Sequence, residues 1–452
     1  MTQASQQLPL GQAFQLRSSG AKGVVGQLIG AGGQGAVYAC DVGGRRLALK
    51  WYHRFVVQQD AGLRRRIEQL VAVGPPDARY LWPLDSAIIE GRTEFGYIMP
   101  LMNEDRRPLK DLIAPPPRRL ELPLESRALA CFEIAESFAG LHAKGLSYQD
   151  LNFGAFAIDP VRGGVLICDA DNVTTDGLLG GVLGTRKFMA PEVARQEAIP
   201  SVQTDLYSMA VLFFYIIFGW HPLDGRREAA IVTLDREADH RLYASDPLFI
   251  FDPVNRDNGP EPGLHDWLVA RWASMTEEVR GLFTRSFTSG LANPRSGRVV
   301  ETEWLRAFAH LRASVARCGR CSFEHALDGA SENAPTPCAA CGAHVATPPH
   351  LRLGAHFVRL EPGDELYPHQ LAAGASFALA PPSGRVNSHP TDPNILGLQN
   401  MSAQQWIGQT PEGGALNVAP GKTVKLIDGM VVDFGGRRGV MRLGPFANGA
   451  AP

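Results

Sequence analysis

The chain lacks an excess of either charge. Its 44 Lys and Arg stand against 46 Asp and Glu, a formal net charge of −2 over 452 residues. That balance gives no electrostatic grip on nucleic acid or an anionic membrane, so neither is expected as a partner. It also lacks a long apolar run. The longest, residues 209–220, is too short to span a bilayer and predicts a buried helix. Residues 1–7 have neither a basic start nor an apolar centre, so no secretory signal is expected and the predicted location is cytoplasmic. Cysteine is scarce, at seven residues, and unevenly placed. Cys40, Cys131 and Cys168 sit singly in apolar settings, as small buried hydrophobes do. Cys318, Cys321, Cys338 and Cys341 come as two close pairs. Without an export signal, metal binding is a better expectation for them than disulfides. The remaining composition is that of a globular protein with room for about two to four domains.

Residues 147–173 carry the first chemistry. Asp150 stands just before the apolar segment Phe156, Ala157, Ile158; a Gly163-Gly164 turn follows; Asp169 closes the next apolar segment, Val165 to Cys168. Two short strands joined by a tight turn place both aspartates on one side. One carboxylate can then accept a proton while the other holds a metal ion. Upstream, Gly30, Gly32, Gly33 and Gly35 lie between strand-like segments, and Gly43-Gly44 turns the chain into a third strand bearing Lys50. Glycines let backbone N–H groups approach phosphate oxygens. A dinucleotide fold would need a helix directly after them. Here Ala36, Val37 and Tyr38 follow, which predicts a loop over a triphosphate with Lys50 reaching the phosphates. Residues 57–73 read as one charged helix, in which Glu68 is the candidate to hold Lys50. Residues 85–102 add strands and lead into a Pro-rich crossing, and residues 128–143 have helical apolar spacing.

In this order the motifs resemble the eukaryotic-type, bacterial Ser/Thr protein kinases. The resemblance covers residues 21–315 and includes the glycine loop, Ala48-Leu49-Lys50, Tyr148-Gln149-Asp150, Asp169-Ala170-Asp171 and Ala190-Pro191-Glu192. It continues through Thr204-Asp205 and Arg298, which would pair with Glu192. It implies an α+β, two-lobed kinase-like fold: residues 1–20 a tail, 21–102 the N-lobe and 103–315 the C-lobe. It also implies ATP under Gly30, Gly32, Gly33 and Gly35, with adenine between Val37, Ala48, Met99, Leu101 and Met102. Lys50 would hold the phosphates, Glu68 would orient Lys50, Asp150 would take the substrate proton, and Asp169 would bind Mg²⁺. A protein substrate or signalling partner follows from the same resemblance.

The departures from that pattern bear on activity. Ala155 stands where an asparagine would hold a second Mg²⁺. Asn152 replaces a lysine, and its amide is the candidate replacement ligand, with Asp171 a second. Gln149 replaces the arginine that meets a phosphorylated activation segment, Ala170 a phenylalanine, and Asp171 a glycine. A pseudokinase scaffold that binds nucleotide without transfer therefore stands beside the active kinase.

Residues 316–345 contain Cys318-x-x-Cys321 and Cys338-x-x-Cys341. Two such knuckles close one tetrahedral site, so a zinc ribbon holding Zn²⁺ is expected. The loop between them, with Ser331, Asn333 and Pro335, is polar and builds no core. Residues 350–446 alternate short strands with turns, which predicts a small all-β sandwich. With Gly384-Arg385, Asn400-Met401-Ser402 and the run from Val418 through Pro420-Gly421 and Asp428-Gly429 to Gly435, this part resembles a divergent forkhead-associated (FHA) domain. The resemblance implies a phosphopeptide site at Arg385 and Ser402, although Gln405 stands where a histidine belongs.

Overall fold

The computed structural model describes residues 7–329, 336–372, 374–379 and 381–444. Ser331, Asn333, Pro335, most of residues 1–7 and the end of the sandwich segment lie outside the described residues. The chain forms two compact units. One holds residues 1–122, 133–259 and 284–301; the other holds residues 123–132, 260–283 and 302–452. This division does not follow the boundaries expected at 102 and 315. No described helix is long and apolar enough to cross a membrane.

The first unit begins with a closed barrel of six strands: β1 (Ala13–Leu16), β2 (Lys22–Ala31), β3 (Gly35–Val42), β4 (Arg45–Tyr52), β5 (Asp85–Ile88) and β6 (Phe95–Pro100), in spatial order β1-β2-β3-β4-β6-β5. β3 and β4 pair in full register from Gly35↔Tyr52 to Val42↔Arg45. Gly43 and Gly44, both at positive φ, make the two-residue turn that fits the right-handed strand twist. The expected tail is not free. β1 pairs with both β2 and β5 and closes the barrel. The reason is its alternation: Phe14 and Leu16 point inward with Val25, Tyr38, Leu49 and Trp51. The single helix expected over 57–73 is two, α1 (Arg54–Gln59) and α2 (Leu63–Val73). Asp60 breaks it by accepting from the Gly62 N–H at 3.0 Å and pairing with Arg66.

Below the barrel run α3 (Leu124–Ala143), α4 (Pro191–Ala194) and α5 (Val202–Phe218). The first unit takes α3 only from residue 133 onward. α5 is buried on nearly every face, in keeping with its apolar run, and begins with reciprocal Ser201 and Thr204 capping. Its one acidic residue, Asp205, is buried and accepts from the Tyr148 N–H at 2.6 Å and from His142 at 3.2 Å. Glu301 bonds the other ring nitrogen of His142.

In the second unit, helices Asp266–Ala273 and residues 302–313 of Glu301–Ala313 share a body with the cysteine pairs and the β-rich end. Specific bonds join them. Ala326 N–H donates to Ser274 O at 2.9 Å, Arg271 to Glu324 O at 3.0 Å, and Arg359 to Glu125 at 3.1 Å. Two antiparallel sheets follow, of six and four strands. They enclose one core containing Leu351, Val386, Leu398, Trp406, Val432 and Met441. Residues 376–379 form no strand; Phe377 packs against His369, ring centroids 5.0 Å apart.

His142 supplies a test of the first unit. Burial disfavours its charge, but the hydrogen bonds and charges of Asp205 and Glu301 outweigh that and raise its pKa from 6.5 to about 9. A group raised on folding stabilises fully below its unfolded value and loses that contribution as pH climbs to the folded one. Unfolding free energy should therefore fall between pH 6.5 and about 9 by up to roughly 1.4 kcal/mol per pH unit relative to His142→Gln. Parallel curves for the two chains in chemical denaturation would refute the assignment.

Candidate active site

The strand Phe156–Ile158 pairs antiparallel with Val165–Ile167, so residues 150 and 169 leave the same end of one hairpin. Cys168 N–H donates to Ala155 O at 2.8 Å and Tyr148 Oη to Cys168 O, tying the two segments together. Gln149 and Asp169 both lie in the left-handed backbone region, φ 60° and 47°. Such conformations persist in non-glycine residues only where surrounding bonds hold them, and they cluster at functional positions.

Lys50 projects from β4 into a cluster of carboxylates. Its side chain is 7% exposed, and Nζ lies 3.1 Å from Asp169 Oδ1 and 2.7 Å from Asp171 Oδ2. Gln34, in the turn of the glycine loop, offers Oε1 at 3.5 Å. The expected Lys50–Glu68 pair does not form. Glu68 lies 3.0 Å from Arg17, just beyond β1, on a partly exposed side of α2. Asp171 takes the place beside Lys50, 3% exposed, and also accepts from Tyr52 Oη at 2.7 Å and Tyr97 Oη at 3.1 Å. Burial alone would raise the Asp171 carboxyl, but the Lys50 charge and these donors hold it below the ordinary carboxylate range. With its oxygens so engaged, Asp171 is not the spare metal ligand that its sequence position suggested.

Tyr52 and Tyr97 escaped the sequence reading. Their signal was geometric: residues 50 and 52 share one face of a strand, and Tyr97 lies directly opposite Lys50 in β6.

At the other side of the site, Asp150 Oδ1 accepts from Thr185 Oγ1 at 2.8 Å, and Thr185 accepts from Asn152 Nδ2 at 3.0 Å. Asn152 Oδ1, the atom expected to replace a missing metal ligand, accepts from the Gly154 N–H at 2.7 Å and caps a short turn. Ala155 is buried and offers no ligand atom. Among these positions Asp169, with a half-exposed carboxylate, fits a hard oxygen-seeking cation such as Mg²⁺. Gln149 spans the activation segment with its neutral amide, accepting from Gly180 N–H at 2.7 Å and donating to Leu178 O. Arg298 and Glu192 meet at 2.8 Å in a buried pair.

The glycine loop divides by role. A Cβ on Gly35 would strike the Trp51 carbonyl at 2.3 Å, so that glycine is required by packing. A Cβ on Gly30, Gly32 or Gly33 would meet nothing within 4 Å, so packing does not explain those three, and their bare backbone faces open space. Val37 is half-buried; Ala48 and Met99, paired across β4 and β6, are buried; Leu101 and Met102 are partly exposed beyond the strand.

In the second unit the four cysteine sulfurs lie within 4.8 Å of one another. Cys318 and Cys341 are 3.7 Å apart, Cys321 and Cys338 3.6 Å. A tetrahedron with Zn–S bonds of about 2.3 Å has sulfur separations of roughly 3.8 Å, so the set fits a zinc ion. His325, buried, sits 3.4 Å from Cys338 Sγ as an outer partner. The pair implied by the FHA resemblance is engaged otherwise. Arg385 bonds Glu365 at 2.6 Å, and Ser402 donates to Asn400 at 2.8 Å.

Three bare glycines facing open space, a buried lysine with two carboxylates and an aspartate on the other side form the arrangement that the kinase resemblance implies. Residues 24–261 match the protein kinase domain family, and the chain belongs to that family. It is 27% identical over 310 residues to serine/threonine-protein kinase pkn2 of Myxococcus xanthus, covering 60% of this chain and 35% of that protein. It is 26% identical over 323 residues to protein kinase YegI of Escherichia coli (strain K12), covering 67% and 46%. CBL-interacting protein kinase 4 of Oryza sativa subsp. japonica is 26% identical over 293 residues, covering 61% and 62%. The chain thus spans between 35% and 62% of the length of these curated relatives.

Millimolar MgATP should raise the melting temperature of this chain, and Lys50→Met should abolish most of that shift. Identical melting of the wild-type chain with and without nucleotide would remove the nucleotide site.

Proposed function

We propose that the chain is an ATP-dependent Ser/Thr protein kinase carrying two docking modules and acting on protein partners in the cytoplasm. The observation that carries this reading is the meeting of Lys50 with Asp169 at 3.1 Å, in a chain of the protein kinase domain family. The γ-phosphoryl group passes from ATP to a protein hydroxyl: its bond to the leaving ADP oxygen breaks as the bond to the substrate oxygen forms. Asp150 takes the hydroxyl proton. Thr185 and Asn152 hold that carboxylate in place through the chain of bonds described above. Lys50 binds the α- and β-phosphates, under a loop whose Gly30, Gly32 and Gly33 admit their oxygens. Asp169 holds Mg²⁺, which neutralises charge on the phosphate oxygens when bound. Val37, Ala48, Met99, Leu101 and Met102 enclose the adenine.

Cys318, Cys321, Cys338 and Cys341 hold one Zn²⁺ as a closed structural site, and the sandwich docks a protein partner. A phosphopeptide at Arg385 and Ser402 would first have to displace Glu365. The pseudokinase reading is favoured by one observation, the buried Ala155 at the second metal position.

Asp150→Ala should lower transfer from radiolabelled ATP to a basic protein substrate by on the order of a hundredfold or more while nucleotide binding persists. Asn152→Ala should lower it less. A wild-type chain that binds MgATP but transfers no phosphate with any divalent ion would move the assignment to the pseudokinase. Metal analysis should find about one zinc per chain. Cys338→Ser should lose it and open residues 316–345 to protease; zinc-free wild-type protein would refute the ribbon.

A further inference from the structure

We propose that Asp171 is the positioning residue for Lys50, so that the phosphate-binding lysine is held from the turn after Val165–Ile167 and not by a glutamate on α2. The proposal rests on the kinase reading and deepens it. An ammonium has three hydrogens. Asp169 at 3.1 Å, Asp171 at 2.8 Å and Gln34 at 3.5 Å supply an acceptor for each, and none is left for Glu68. Asp171 is fixed more firmly than any of the others. It is buried, and its remaining donors, Tyr52 and Tyr97, come from β4 and β6, the two strands that also frame Lys50. Glu68 has a different task, closing α2 against Arg17.

Gln34 is the most distant of the three acceptors, uncharged, and sits in the glycine loop. A phosphate oxygen can take its place without disturbing the Asp171 anchor. Burial disfavours the Lys50 charge, and the two aspartates more than restore it, keeping the ammonium protonated. In kinases whose lysine is held by a helix glutamate, movement of that helix switches the site. Here that lever is disconnected.

The test uses the full chain. In calorimetric titration with MgADP, Glu68→Gln should stay within about twofold of wild type, and Asp171→Asn should weaken affinity by about tenfold or more. A second readout looks at Lys50 itself. Timed acylation with an amine reagent near about pH 8 is followed by mass spectrometry, with exposed Lys110 as the internal reference. Losing its counter-ion should make Lys50 release its proton more readily, so labelling should quicken in Asp171→Asn and not in Glu68→Gln. The label needs no nucleotide. A wild-type chain that binds no MgADP would therefore sink the kinase reading, while the label would still judge Asp171. Equal effects of the two substitutions, or wild-type behaviour of Asp171→Asn in both readouts, would overturn the proposal. If Asp171→Asn does not fold, Glu68→Gln decides: a tenfold loss of affinity or faster Lys50 labelling refutes it, and wild-type behaviour upholds it.

Discussion

The kinase half depends on one buried ion pair. Lys50 and Asp171 are 121 residues apart in sequence, and each would be costly to bury alone. Removing one partner of such a pair costs about 3–5 kcal/mol, because the other is left charged and unsolvated. Tyr52 and Tyr97 satisfy the remaining carboxylate lone pairs, which lets the pair survive in a dry setting. Its geometric effect is large. It pins the segment after Val165–Ile167 to β4 and β6, so Asp169 is held in its left-handed conformation with a half-exposed carboxylate. The half-exposed acid is thus aimed by the buried one.

Much of this frame was legible from local pattern. The Gly43-Gly44 hairpin, the strands around Gly163-Gly164 and a buried helix at the apolar run from residue 209 each follow from turn chemistry or composition within one short window. What escaped needed contacts between distant windows. β1 carries only two inward side chains, too few to announce a strand without the barrel that receives them. Glu68 stands out as an acid on a charged helix, where the family pattern also puts one. The chain instead places the acid two residues after Asp169, where the pattern has glycine. Nothing periodic links Asp171 to Tyr52 or Tyr97; only the paired strands bring those hydroxyls together.

In the C-terminal part, spacing and packing informed unequally. Two Cys-x-x-Cys knuckles are legible because four sulfurs must reach one point, and they do lie within 4.8 Å of one another. The boundary at 315 was not, because helices before it and strands after it share a body. Arg359 illustrates why: bonded to Asp364, Glu125 and the Val315 carbonyl, it joins residues more than 200 positions apart. A composition shift marks where a segment changes character, not where its contacts end.

The Gln149 amide has a consequence for signalling chemistry. A clamp made of uncharged hydrogen bonds to the Leu178 carbonyl and the Gly180 N–H is indifferent to salt and to phosphatases. Phosphate added at Thr174 or Thr175 would bring about two negative charges to a position where Gln149 offers no cation. What holds the segment at Gln149 is a latch without a key: two neutral hydrogen bonds that ask for no phosphate.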